Sequence, residues 1–114
     1  MPPHTDDYLE YCLEILAPCS TITFRRMFGG YGLYNDGLFF AIIADDTLFF
    51  KVDDHTRHIY EEYEMEPFTY EKQGKDYSLG YYEVPIDILE SPPQLQAFVD
   101  AACAVAQRAK KKKK

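Results

Sequence analysis

Few side chains in this sequence have a type and spacing that could do chemistry. His55 and His58 stand three residues apart and Glu62 four beyond, so one helical face could offer them to a metal. No further His or Cys follows at ligand spacing, and a solvated helix face is the preferred reading, with no metal expected. Cys12, Cys19 and Cys103 form no CxxC pair, and Cys12 falls on an apolar helical stripe, where it reads as a small core residue. Ser20 and Thr21 have no His or acid nearby in sequence to activate them. Gly29 and Gly30 invite a phosphate-loop reading, but GGYG has neither the lysine nor the following helix whose amides would hold an anion. One combination is left: Arg25, Lys51 and Glu83, which neighbouring strands could bring together. A cross-strand ion pair supporting the sheet is preferred over a catalytic cluster there. No catalytic residue and no cofactor is therefore expected.

The elements that position these groups centre on residues 25–54, RRMFGGYGLYNDGLFFAIIADDTLFFKVDD, which alternate apolar and polar residues between turn signals. Asn35-Asp36-Gly37 and Asp45-Asp46 predict tight hairpins. Gly29-Gly30 predicts a bulge that bends the first strand, expected from Ile22 to Phe28, on which Ile22, Phe24, Arg26 and Phe28 face one way and Thr23, Arg25 and Met27 the other. Strict alternation then puts Phe39, Ile43 and Phe49 on one face against Leu38, Phe40, Ile42, Leu48, Phe50 and Val52. Both faces carry bulk, so the sheet is expected to be either sandwiched by helices or paired with a second subunit. Lys51 is expected to pair with Asp53 or to snorkel to the edge.

Helices are expected around this sheet. Thr5 can cap a first helix that turns Tyr8, Leu9, Cys12, Leu13 and Leu16 inward until Pro18 ends it. Asp53 or Asp54 can cap a second, running to about Tyr63, with Arg57 and Glu61 as an i,i+4 pair. Pro67 stops it, and residues 68–72 and 77–84 read as a further hairpin that ends at Pro85. Ser91-Pro92-Pro93-Gln94 opens a last helix that buries Leu95, Phe98, Val99, Ala102 and Ala106. The elements read as α+β, an antiparallel sheet with N-terminal, middle and C-terminal helices laid against it, in one domain over 1–109 with a basic tail at 110–114.

Tyr supplies 10 residues, Phe 8 and Trp none, a composition that fills a core with rings and also suits an interface. The net charge of −7 conceals an asymmetry, because Arg108 and the five lysines of 110–114 are half of the 12 cations. Without them 6 cations face 19 acids, and such a body repels phosphate, which leaves only the lysine tail for nucleic acid. Unpaired cysteine spacing, no secretory leader and no long apolar run predict a cytoplasmic chain outside the membrane.

RRMFGGYGLYNDG, the strand ending DDTLFFKVDD, the later GYYEVP and a final helix with small residues occur here in an order that resembles the N-terminal domain of the TfoX/Sxy family of competence regulators. The resemblance runs from the first helix to about Ala109 and rests on Arg25, Met27, Phe28, Gly29, Gly30, Gly32, Leu33, Tyr34, Gly37, Lys51, Tyr82, Glu83, Val84 and Pro85. It implies a two-layer α+β domain with an antiparallel sheet of about five strands, and a non-enzymatic role in regulating transcription through partner proteins. With the two-sided apolar sheet, the leading expectation is a module that binds a protein, the transcription machinery or, as a homodimer, a second copy of the chain. Arg25, Met27, Phe28, Gly29, Gly30, Gly32, Leu33, Tyr34, Lys51, Tyr82 and Glu83 are then the candidate interaction residues. The resemblance is to the N-terminal domain alone, so a stand-alone module is expected, and output that depends on the family's C-terminal domain is not implied. Two other readings stand beside this one: a nucleic-acid-associated regulator using the lysine tail, and a small enzyme with its site near Arg25, Lys51 and Glu83.

Overall fold

The computed structural model describes residues 7–27, 30–72 and 74–112. Its elements run α1 (Asp7–Leu16), β1 (Ile22–Met27), β2 (Gly30–Asn35), β3 (Leu38–Ala44), β4 (Thr47–Lys51), α2 (Arg57–Glu62), β5 (Pro67–Lys72), β6 (Lys75–Glu83), α3 (Ile86–Leu89) and α4 (Pro92–Lys112). The α+β class and the antiparallel sheet are as the sequence led us to expect, with six strands in the order β1-β2-β3-β4-β6-β5. Thr5, expected to cap the first helix, lies outside the described residues.

Turn chemistry sets the register. Asp36 and Gly37 have φ of 52° and 85°, and Asp45 and Asp46 both have φ of 55°, the left-handed pair that a two-residue hairpin needs to match strand twist. They lock Asn35 opposite Leu38 and Ala44 opposite Thr47. At Gly29-Gly30 the expectation fails. Met27 pairs with Gly30, so this segment joins two antiparallel strands and does not bulge a continuous one. The irregularity sits further on, where the β2–β3 register shifts between Leu33 and Tyr34. That shift reverses a face assignment: Ile42 pairs with Gly32 and joins Phe39 on one face, while Ile43 pairs with Tyr31 and turns to the other.

Helices cover one face of the sheet. Leu33, Phe40, Ala41, Ile43, Leu48, Phe50 and Val52 form a single buried cluster with Leu9, Cys12 and Leu16 of α1, Tyr60 of α2, Ile88 of α3, and Leu95, Val99, Ala102 and Ala106 of α4. At about 25 cal/mol for each Å² of apolar surface removed from water, this shared core dominates the stabilisation of both layers. α2 is shorter than expected. Its first turn follows an Asx-type turn in which the His55 amide donates to Asp53 Oδ1 at 2.9 Å, and the Thr56 side chain makes no cap. Gly80, with φ of 74°, bends β6 just before its pairing with β4 begins at Tyr81, and the Val52 amide donates to the Gly80 carbonyl at 2.8 Å at the bend. α4 continues as helix through Lys112, into the segment read as a tail.

Candidate functional site: the helix-free face of the sheet

Successive side chains of a strand point to opposite faces, so the residues that alternate with the core define the second face. Reading across the paired strands, Arg25 lies opposite Gly32, Gly32 opposite Ile42, Ile42 opposite Phe49, and Phe49 opposite Glu83. These five residues form one row across β1, β2, β3, β4 and β6. Tyr34, Phe39, Lys51 and Tyr81 lie beside it, and Met27 ends β1 on the same face. Rings tile this surface: Tyr34 stacks on Phe39 at 5.1 Å between centroids, Phe39 meets Tyr81 at 5.9 Å, and Phe49 meets Phe68 edge-on at 5.0 Å. Ile42 and Tyr81 are buried beneath the tiling, whereas Met27, Tyr34, Phe39, Phe49 and Phe68 are half-buried. Each of the four helices instead places a buried side chain in the core on the opposite side.

Gly32 is the low point of the surface. A Cβ there would meet Met27 Cε at 2.6 Å and Phe39 Cε1 at 2.9 Å, so both side chains fold over the glycine. The Lys51 ammonium lies 4.8 Å from the Tyr81 ring centroid and donates to the Tyr81 hydroxyl at 3.3 Å. Burial pushes the Tyr81 phenol up to about 12, which keeps it a neutral hydrogen-bonding group near neutral pH.

The candidate residues divide between the two faces. Arg25, Met27, Gly30, Gly32, Tyr34, Lys51 and Glu83 fall on the helix-free face; Leu33 and Tyr82 turn into the helix-side core. Phe28 and Gly29 lie outside the described residues. Arg25, Lys51 and Glu83 do not converge: three strand steps, about 14 Å, separate β1 from β4. The supposed pairing of Lys51 with Asp53 is also replaced. Asp53 accepts from Arg108 Nη2 at 2.7 Å and from Nε at 2.9 Å, which ties the far part of α4 to the loop after β4. Burial alone would raise the Asp53 carboxyl, but the hydrogen bonds from Arg108 and the His55 amide, with the Arg108 charge, outweigh it and hold the pKa below the ordinary carboxylate value. Phe39, Ile42, Phe49, Phe68 and Tyr81 were not singled out from sequence. Phe49 and Tyr81 fall within DDTLFFKVDD and GYYEVP, but only the register brings the five together as a surface.

Elsewhere the chemistry is quiet. A shallow cleft of about 530 Å³ between α1 and β1 is lined by Leu13, Ala17, Ser20, Thr21, Ile22, Thr23 and Phe24, with no titratable group. A gap of about 110 Å³ between α2 and α4 is mainly apolar. Burial raises the pKa of the Cys19 and Cys103 thiols, the opposite of what activates a nucleophile. Among the described residues no group of three or more His, Cys, Asp or Glu side chains could hold a metal ion, and no helix is long and apolar enough to cross a membrane.

Fold and surface together define a class: a two-layer α+β domain whose antiparallel sheet is backed by helices on one side and presents a ring-tiled face on the other. The chain belongs to the TfoX N-terminal domain family, whose profile matches residues 14–106, as the motifs between Arg25 and Pro85 implied. It is 32% identical over 71 residues to Protein Sxy of Escherichia coli (strain K12). That stretch is 62% of this chain and 34% of the relative, so the chain spans about a third of that protein's length.

Proposed function

We propose that this chain is a non-enzymatic, cytoplasmic regulatory module of the competence-regulator kind, which influences transcription through protein contacts made by the helix-free face of its sheet. The observation that carries the reading is the placement of Arg25, Met27, Gly30, Gly32, Tyr34, Lys51 and Glu83, residues on which the family resemblance rests, around an aromatic surface that no helix covers among the described residues. Half-buried rings rimmed by separate charges suit a protein contact, where aromatic anchors supply area and rim charges supply orientation. Membership of the family and the likeness to Protein Sxy support the regulatory sense of this contact.

The test is a transcript profile of the source cell lacking the chain, compared with cells carrying Phe39→Ala or Phe49→Ala proteins whose thermal unfolding confirms that they fold. The regulatory reading expects both variants to reproduce most of the change caused by loss of the chain. Unchanged transcripts on deletion would sink it. If truncation of residues 110–114 abolished the effect and the face variants did not, the nucleic-acid reading would take its place.

A further inference from the structure

The row across the helix-free face is charged at its two ends and apolar between them: Arg25, Gly32, Ile42, Phe49, Glu83. Read in reverse it becomes acid, ring, aliphatic, glycine, base, which is the complement in charge of the forward reading. Resting on the reading of this face as a contact surface, we infer that its occupant is a second copy of the chain, stacked face to face about a twofold axis that runs along β3 near Ile42.

The geometry follows from the sheet order. β3 is the middle of the five strands that carry the row, and an axis lying along it, between two facing sheets, exchanges left and right while preserving the level along the strands. Arg25 of one protomer then stands opposite Glu83 of its partner, and Glu83 opposite Arg25, a self-complementary arrangement that closes at two subunits. Between these two ion pairs the partly exposed rings of Phe49, Phe39 and Tyr34, which lie over the buried Ile42, meet those of the second copy about the axis. Sheets packed face to face lie about 10 Å apart, a gap that arginine and glutamate side chains reaching from opposite sides can span. The rotation of about 30° usual for aligned sheets displaces the ends of the row by about 5 Å, which the long arginine side chain accommodates.

Within one protomer these two charges cannot meet. Four strand spacings, about 19 Å, separate Arg25 from Glu83 along the row. Neither side chain takes part in the ion pairs seen among the described residues, such as Arg57 with Asp54 and Arg108 with Asp53. The stacked pair supplies each with the opposite charge and covers rings that the isolated chain leaves partly exposed.

Charge reversal tests this in a way that separates contact within a chain from contact between chains. Sedimentation of the full chain over a range of micromolar concentrations is expected to give a dimer for the natural sequence. Arg25→Glu and Glu83→Arg are each expected to weaken association at least tenfold, since each places like charges at both ends of the row. The double variant should associate again, and so should an equimolar mixture of the two single variants, because in that heterodimer both end pairs are opposite in sign. Arg25 is exposed, so its reversal leaves the core untouched, and the mixture remains decisive even if the double variant folds poorly. A natural chain that stays monomeric, single reversals without effect, or a mixture that does not recover would each overturn the dimer. If the chain is monomeric while Phe39→Ala and Phe49→Ala still alter transcripts, the dimer falls and the regulatory reading survives.

Discussion

Gly30 and Gly32 sit two residues apart on one strand and one face, yet adding a methyl group to each should have unequal consequences. A Cβ at Gly30 would enter the van der Waals envelope of the Ile43 carbonyl oxygen and lie 3.1 Å from the Ile43 carbonyl carbon and 3.2 Å from Ala44 Cα. All of these are backbone atoms of the neighbouring strand, so relief requires β2 and β3 to part. Overpacking of this kind costs roughly 1–3 kcal/mol, and loosening one or two ladder hydrogen bonds adds about 1 kcal/mol each, so Gly30→Ala should lose about 3 kcal/mol. At Gly32 the obstacles are the end of the Met27 side chain, at 2.6 Å to Cε and 2.9 Å to Sδ, and one edge of the Phe39 ring at 2.9 Å. Methionine has three rotatable bonds and a half-buried position from which to swing aside. The chain entropy removed from the unfolded state returns about 0.4–1 kcal/mol, so Gly32→Ala should cost about 1 kcal/mol or less. Urea unfolding followed by circular dichroism resolves the two. With a slope of about 1.5 kcal/mol per molar for a chain of this size, the Gly30 variant should lose about 2 M in midpoint and the Gly32 variant well under 1 M. Both must be measured at the same protein concentration, because association of the folded chain would raise the midpoint. Equal losses, or a larger one at Gly32, would refute the assignment of backbone against side-chain obstruction and with it the arrangement of the face.

The Asp53–Arg108 bridge has a defined pH signature. Its carboxyl is held below the ordinary value in the folded chain, so its contribution is complete above the unfolded pKa of about 3.9 and is lost as pH falls through the lower folded value. Arg108→Ala should therefore cost about 1 kcal/mol near neutral pH, and the difference from the natural chain should shrink as acid protonates the carboxyl; a penalty that stays constant all the way into acid would contradict this origin. The gap of about 110 Å³ between α2 and α4 is lined in part by Ile59, Phe98 and Ala101. Ala101→Leu should fill it and raise stability by about 1 kcal/mol, read as a higher midpoint in thermal unfolding, whereas a lower midpoint would show that the gap cannot take the larger side chain.

Local chemistry made much of the fold legible. Asn35-Asp36-Gly37 and Asp45-Asp46 forecast two hairpins because few residues accept positive φ, and the apolar spacing of α1 and α4 forecast Leu9, Cys12, Leu16, Leu95, Val99, Ala102 and Ala106 in the core. What failed was non-local. Gly29-Gly30 permits either a bulge or a chain reversal, and only the pairing of Met27 with Gly30 decides between them. The register shift opposite Leu33 and Tyr34 carries no glycine or proline signal, yet it moves Ile42 and Ile43 to opposite faces from those that strict alternation assigns. Arg108 looked like part of a cationic end-run because its partner Asp53 lies 55 residues away. The candidate site was half legible: Arg25, Met27, Gly30, Gly32, Tyr34, Lys51 and Glu83 came from motif resemblance, while the rings joining them emerged only when the strands were aligned.

Photo-crosslinking in the source cell tests the claim about the helix-free face most directly. A benzophenone amino acid at Phe49 or Phe39 should yield protein adducts, whereas one at Tyr63 or Ile86, exposed on the helical layer, should yield few or none. Adducts confined to the helical layer, with none from the sheet face, would contradict the account.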